Sequence, residues 1–127
     1  MATEILINDG GAPARILPFT AGEALTAGQP VSMNTSAEVI TMDVSAHKPL
    51  GIALTDATSG NTASIITGHG VLLNAYCSGS IGVGDALDTA DAGDLVTTAD
   101  AGKAIAIYVD SDSHAGASTL QKILYLG

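Results

Sequence analysis

The chain has 127 residues, with thirteen Asp and Glu against four Lys and Arg and a formal net charge of −9. That length fits one domain with a real core. The charge balance excludes nucleic acid and anionic membrane surfaces as partners, because both demand clustered cations. Only 13% of the residues are charged, 46% are hydrophobic and 3% are aromatic, so the charged share is about half the usual one.

Two readings follow: an Ala-rich small protein, or one whose exterior is partly buried against other subunits. Cys77 is the single cysteine, so no internal disulfide forms and stability must come from packing and association. Met1-Ala2-Thr3-Glu4 lacks the basic and apolar regions of a secretory start. No apolar run approaches the roughly 18 residues of a membrane-spanning helix. A soluble protein made in the cytoplasm is expected.

In chain order, Thr3 to Asn8 reads as a strand, with Ile5 and Ile7 on one face and Leu6 on the other. Asp9-Gly10-Gly11-Ala12-Pro13 is a turn or hinge. Arg15-Ile16-Leu17-Pro18-Phe19 is apolar, and Pro18 confines it to a sheet edge. Residues 1–20 are therefore expected to be an edge strand or an arm that adds a strand to a neighbouring molecule. Arg15, the only positive charge before Lys48, would meet a carboxylate there. Residues 21–127 are expected to form a single β domain.

Within it, Ala21 to Gly28 carries turn signals, and Val31 to Met33 and Glu38 to Asp43 are strands. Lys48 to Thr67 reads as strand, turn, strand, and the chain looks organised around it. Pro49 keeps Lys48 extended. Leu50, Ile52 and Leu54 share one face. Gly51, Ala53 and Thr55 form a small face against which something packs closely. Asp56 to Asn61 supplies the turn, and Thr62 to Thr67 the return strand.

Gly68-His69-Gly70 is a tight connection to a strand at Val71–Cys77, whose Val71, Leu73, Ala75 and Cys77 form the apolar face. Ile81 to Leu87 leads into a polar turn at Asp88 to Gly93, followed by a short strand at Asp94–Thr98. Lys103 to Asp110 is apolar on both faces and so belongs at a sheet centre. There Ile105, Ile107 and Val109 form the bulky face. Ser111 to Ser118 is a polar loop, and Thr119 to Leu126 is the last strand. No helical period persists. The pattern predicts an all-β fold, a compact sandwich or barrel of short strands with an N-terminal extended arm.

An internal echo runs through the chain. Leu25-Thr26-Ala27-Gly28-Gln29-Pro30-Val31 matches Ile81-Gly82-Val83-Gly84-Asp85-Ala86-Leu87. Glu38-Val39-Ile40-Thr41 then matches Asp94-Leu95-Val96-Thr97. Gly51-Ile52-Ala53-Leu54 resembles Ala104-Ile105-Ala106-Ile107 after a small shift. Two similar β units packed as halves would share strand order.

Chemistry is sparse. His47, His69 and His114 sit in three loops without metal-ligand spacing and read as surface residues. Cys77 ends an apolar strand, where a free cysteine acts as a small hydrophobe. Asp85, Asp88, Asp91 and Asp94 recur every third residue but lack the calcium-loop pattern, and read as solvated turn carboxylates. Catalytic, cofactor and metal residues are all expected to be absent.

The order of punctuation carries a resemblance. Ala27-Gly28-Gln29-Pro30-Val31, Lys48-Pro49-Leu50-Gly51-Ile52-Ala53, the Gly70-Val71 strand start and Gly82-Val83-Gly84-Asp85-Ala86-Leu87 resemble, over residues 20–110, the small capsid decoration (cement) proteins of tailed bacteriophages. Gln29-Pro30 departs from that family's Asp-centred first turn. The resemblance implies a β-rich, non-enzymatic virion protein, made in the host cytoplasm and usually trimeric. It would bind the major capsid protein on the outer shell surface and need no cofactor.

On that reading the arm residues Ile5, Leu6, Ile7, Arg15 and Ile16 are the expected partner contacts. Ile5, Leu6, Ile7 and Ile16 would fill grooves while the arm backbone adds as a strand. A host-surface or glycan-binding β module is the alternative, and a small hydrolase using His and Asp from separate loops stays open beside it.

Overall fold

A computed structural model describes residues 5–8, 15–41, 49–90, 93–99 and 104–127. The described residues form eleven strands and no helix. The first five after the N-terminal β1 (Leu6–Asn8) are β2 (Arg15–Thr20), β3 (Pro30–Met33), β4 (Val39–Thr41), β5 (Gly51–Ala53) and β6 (Thr62–Thr67). The second five are β7 (Val71–Cys77), β8 (Ala86–Ala90), β9 (Asp94–Thr97), β10 (Ala106–Tyr108) and β11 (Thr119–Tyr125).

One sheet has the order β2-β6-β5-β3-β4, and the other β1-β7-β11-β10-β8-β9. Without β1, the second order repeats the first strand for strand, with neighbours antiparallel in both. Each sheet is closed by one parallel link between its outer strands, Ala21 with Val39 and Cys77 with Leu95. The halves are therefore two small five-stranded barrels of one design.

The hydrogen bonds repeat as well. Gly28 N–H donates to Ala53 O at 2.8 Å and Gly84 N–H to Tyr108 O at 2.8 Å. Ala53 N–H returns a bond to Gln29 O at 2.9 Å, as Tyr108 N–H does to Asp85 O at 3.0 Å. Gly28 and Gly84 hold φ of 96° and 89°, a region that L side chains rarely adopt. The echo of Leu25–Val31 in Ile81–Leu87 is thus one turn built twice.

The barrels are unequal and share a wall. The larger core takes Val71, Leu73, Ala75, Cys77, Ile81, Leu87, Leu95, Tyr108, Ile123 and Tyr125 from the second barrel, together with Ile5, Ile52 and Ile66. The smaller takes Ala21, Leu25, Val31, Val39, Ala53, Ala63 and Ile65. Successive strand residues point to opposite faces. In the β5–β6 hairpin, Ile52 and Ile66 accordingly enter the larger core, while Ala53 and Ile65 enter the smaller. The stretch the chain looked organised around is the partition between its two cores. Its small face admits close packing: a Cβ built on Gly51 would lie 2.2 Å from Ile66 O.

Two expectations change. Asp88–Gly93 was expected as a turn, but β8 runs through Ala90 because Asp88 and Thr89 pair with Val96 and Leu95. β10 lies inside its sheet, between β11 and β8, as expected of a stretch apolar on both faces: Ile105, Ala106 and Tyr108 are buried while Ile107 and Val109 are half-buried. A tyrosine fills the core beside an alanine, and its hydroxyl donates to Asp112 O at 2.6 Å. His114 is not a surface residue, as described below.

Candidate docking surface

Exposed large hydrophobic side chains among the described residues are Ile16, Leu17 and Val83. Two of the three adjoin on β2. That strand pairs with β6 from Arg15↔Thr67 to Thr20↔Thr62 and is the end strand of its sheet. Arg15, Ile16, Leu17, Pro18 and Thr20 are exposed, and Phe19 half-buried against the smaller core.

The counterpart strand, β7, is covered. Its Val71, Leu73, Ala75 and Cys77 are buried. One side pairs with β11 along the whole strand. On the other side β1 pairs through Leu6↔Leu73 and Asn8↔Leu72. Asn74 N–H donates to Ile5 O at 2.7 Å, and Tyr76 N–H to Gly28 O at 2.9 Å. In β2 the position matching Asn74 is Pro18, which has no N–H to offer. The position matching Leu73 is Leu17, 42% exposed where Leu73 is fully covered.

The difference arises from what lies over each barrel. Ile5, Ile52 and Ile66 close the second barrel, whose β10 and β11 also supply Tyr108 and Tyr125. The matching positions of the first barrel carry Ala53 and Thr67, and among the described residues none covers Ile16 and Leu17.

The five expected contact residues therefore separate. Ile5 is 7% exposed and belongs to this chain's own core. Leu6 packs half-buried against that core. Ile7 lies in β1. Arg15 and Ile16 stand exposed on β2. The strand-adding role expected of the arm is performed by β1 within the chain, on β7. Leu17 and Pro18, exposed beside Ile16, were not among the expected contacts; the unbroken apolar run from Ile16 to Phe19 was the signal.

The other candidates dissolve into structure. His114 sits 9% exposed, with Nδ1 2.9 Å from Gly79 O and Nε2 3.1 Å from Ala117 O. Its backbone exchanges two bonds of 2.9 Å with Ile81, so it pins the loop before β11 to the barrel. His69 is exposed, its Nδ1 against Leu126 O, and His47 lies outside the described residues. His69 and His114 thus take separate backbone carbonyl partners. Burial first, then the charges of Asp94 and Asp110, push the Cys77 thiol up to about 12, leaving no thiolate for nucleophilic work at neutral pH.

Asp85 accepts from its own turn at Gly82 N–H, 2.8 Å. Asp94 accepts from Ser118 at 2.6 Å, and Asp91 lies outside the described residues. No group of three His, Cys, Asp or Glu among the described residues is placed to hold a metal. A shallow cleft of about 250 Å³ is lined by Thr26, Gln29, Tyr76, Asp94 and Ser118. The Ser118–Asp94 hydrogen bond lies in its lining, which holds no histidine.

The described residues thus form a doubled all-β barrel with an apolar strand exposed at one sheet end. The chain belongs to the phage cement protein family, whose model matches residues 16–123, and is thus a virion structural protein. No curated protein sequence matches it. Among solved structures, it is similar to the head fiber gp8.5 N base of bacteriophage phi29, with TM-score 0.70 and 16% identity over 89% of this chain and 94% of that one. At that identity the likeness speaks for the fold.

Proposed function

We propose that this protein decorates the outer face of an assembled phage capsid as a homotrimer bound to the major capsid protein, without catalysing a reaction. The family match over residues 16–123 carries the reading. The scarcity of charge and the exposed β2 side chains agree with it.

The physical effect is linkage. A ligand that binds the assembled shell and not its separated subunits stabilises the shell by about 2.7 kcal/mol per site at a hundredfold excess over its dissociation constant. A trimer engaging three capsid subunits gains further, because its second and third contacts form at high effective concentration. The acidic surface keeps the free protein soluble and apart from the packaged polyanion. Of the N-terminal contacts expected from sequence, Arg15 and Ile16 are exposed and are taken as partner contacts, while Ile5 is buried in the chain's own core.

The test is co-sedimentation with assembled shells and, in parallel, with unassembled capsid subunits, alongside native mass measurement of the free protein. Binding to shells with weak or absent binding to subunits, and a trimer mass, is the expected result. Equal binding to both states would remove the stabilising mechanism. A monomer mass would remove the trimer.

A further inference from the structure

We infer that the cleft of about 250 Å³ where the two barrels meet is a binding site for one neutral sugar ring, a hexopyranose with a pair of adjacent hydroxyls. Thr26 and Gln29 reach it from the Gly28 turn of the first barrel, and Tyr76, Asp94 and Ser118 from the second. Its volume lies below the roughly 300–1,000 Å³ of pockets that take drug-sized ligands, so it suits a single ring. The site adds to the decoration reading without resting on it.

Tyr76 is the first observation. The chain has three Tyr, one Phe and no Trp. Tyr108 and Tyr125 are buried, and Phe19 packs against the smaller core. Tyr76 alone among them lines a polar cleft. The turn above holds it there. Its N–H donates to Gly28 O at 2.9 Å, and a Cβ built on Gly28 would lie 3.4 Å from Tyr76 Cδ2. A phenol offers a sugar an apolar body for its C–H groups and a polar tip for its oxygens.

The polar groups complete the set. Ser118 Oγ donates to Asp94 Oδ1 at 2.6 Å. Asp94 Oδ2 and the lone pairs of Ser118 Oγ are then neighbouring acceptors. Gln29 Oε1 accepts from Thr26 N–H at 2.9 Å, which orients the amide and leaves Nε2 as a donor. Neither Nε2 nor the Tyr76 hydroxyl has a hydrogen-bond partner among the described residues. A sugar hydroxyl both donates and accepts. Two adjacent hydroxyls therefore answer Asp94 and Ser118, while a sugar oxygen takes the Gln29 or Tyr76 donor. The lining holds no cation and the chain carries a net charge of −9, which disfavours phosphorylated and carboxylated sugars. An ammonium ligand has no acceptor for the Gln29 donor.

The cleft is not a by-product of the barrel design. The first barrel carries Thr20, Glu38 and Asn61 where the second has Tyr76, Asp94 and Ser118. There Glu38 pairs with Asn34 and Asn61 with Thr58, each within its own turn, and no aromatic ring stands beside them.

About a dozen ligand heavy atoms in a shallow site correspond to a millimolar dissociation constant, which display in many copies on one particle would strengthen. The test is a proton–nitrogen correlation spectrum of the full chain, titrated separately with D-glucose, D-galactose, D-mannose and N-acetyl-D-glucosamine to about 50 mM. At least one sugar is expected to shift the amides of Thr26, Gln29, Tyr76, Asp94 and Ser118 and to saturate in the millimolar range. Asp94→Asn keeps the shape and the bond from Ser118 but turns the second acceptor into a donor, and is expected to weaken binding at least tenfold. Asp112→Asn removes the same charge from an exposed loop and is expected to bind as wild type.

No shift with any of the four sugars, shifts confined to other residues, or unaltered affinity in Asp94→Asn would overturn the site. An equal loss in Asp112→Asn would reduce the effect to net charge and overturn it too, as would tighter binding of methylamine at the same amides. None of these readings involves shells, so the decoration reading stands or falls separately.

Discussion

Gly51→Ala tests the shared partition between the two barrels. Its added Cβ would sit 2.2 Å from Ile66 O, 2.9 Å from Ile65 Cγ2 and 3.1 Å from Ile66 C. The nearest obstacle is backbone in the neighbouring strand, so a rotamer change brings no relief. Strands β5 and β6 must part by about 1 Å to reach ordinary contact. That strains the Ile52↔Ile66 and Ala53↔Ile65 pairs and disturbs both cores at once, because Ile52 faces one and Ala53 the other.

Overpacking of this kind costs about 3 kcal/mol. That is a shift of about 1.5 M in urea midpoint for a slope near 2 kcal/mol/M, or about 10 °C in Tm. Gly60→Ala is the control. Its φ is 87° and nothing lies within 4 Å of its added Cβ, so only backbone strain of about 1–2 kcal/mol applies. Equilibrium urea unfolding followed by far-UV circular dichroism reads both. A Gly51→Ala midpoint no lower than that of Gly60→Ala would refute the close β5–β6 packing.

Ser32 is fully buried and its hydroxyl has no partner among the described residues. Ser32→Ala should therefore leave the urea midpoint unchanged or raise stability by up to about 1 kcal/mol, and a loss of 2 kcal/mol would show a hidden partner. The fold holds Cys77 and Tyr125 neutral, both pushed up to about 12 by burial, above their ordinary 9.0 and 10.0. Their stabilising contribution is intact below pH 9 and is lost as pH climbs towards 12, because the unfolded chain releases those protons first. Three pH units on Cys77 correspond to a loss of order 4 kcal/mol, read as a falling urea midpoint across pH 9–12. His114→Ala should cost about 2–3 kcal/mol through two stranded carbonyl contacts and a cavity, whereas His69→Ala at an exposed loop should stay within about 0.5 kcal/mol.

Alternation made the strands legible. Val71, Leu73, Ala75 and Cys77 all point into the core, as their spacing required, and Pro18 sits on an end strand. The repeat was legible because turns constrain sequence more tightly than strands: Gly28 and Gly84 are needed for backbone geometry, so the motif survives where side chains diverge. The burial of Ile5 against the chain's own core is not legible, because an apolar segment destined for a partner and one destined for the chain's own β7 have the same composition. Only the topology distinguishes them. His114 was taken for a surface residue because its loop is polar, and its two carbonyl partners at Gly79 and Ala117 become neighbours only after folding. Residue type marked the β2 edge as apolar. That no described residue roofs it, as β1 roofs its twin, shows only when both barrels are seen together.

The most direct measurement is the thermal transition of purified cognate shells titrated with this protein. Shell melting that keeps rising with the logarithm of free protein concentration above the dissociation constant, with the isolated capsid subunit unaffected, is the predicted result. A transition that stays fixed at free protein a hundredfold above its dissociation constant for the shell would contradict the account.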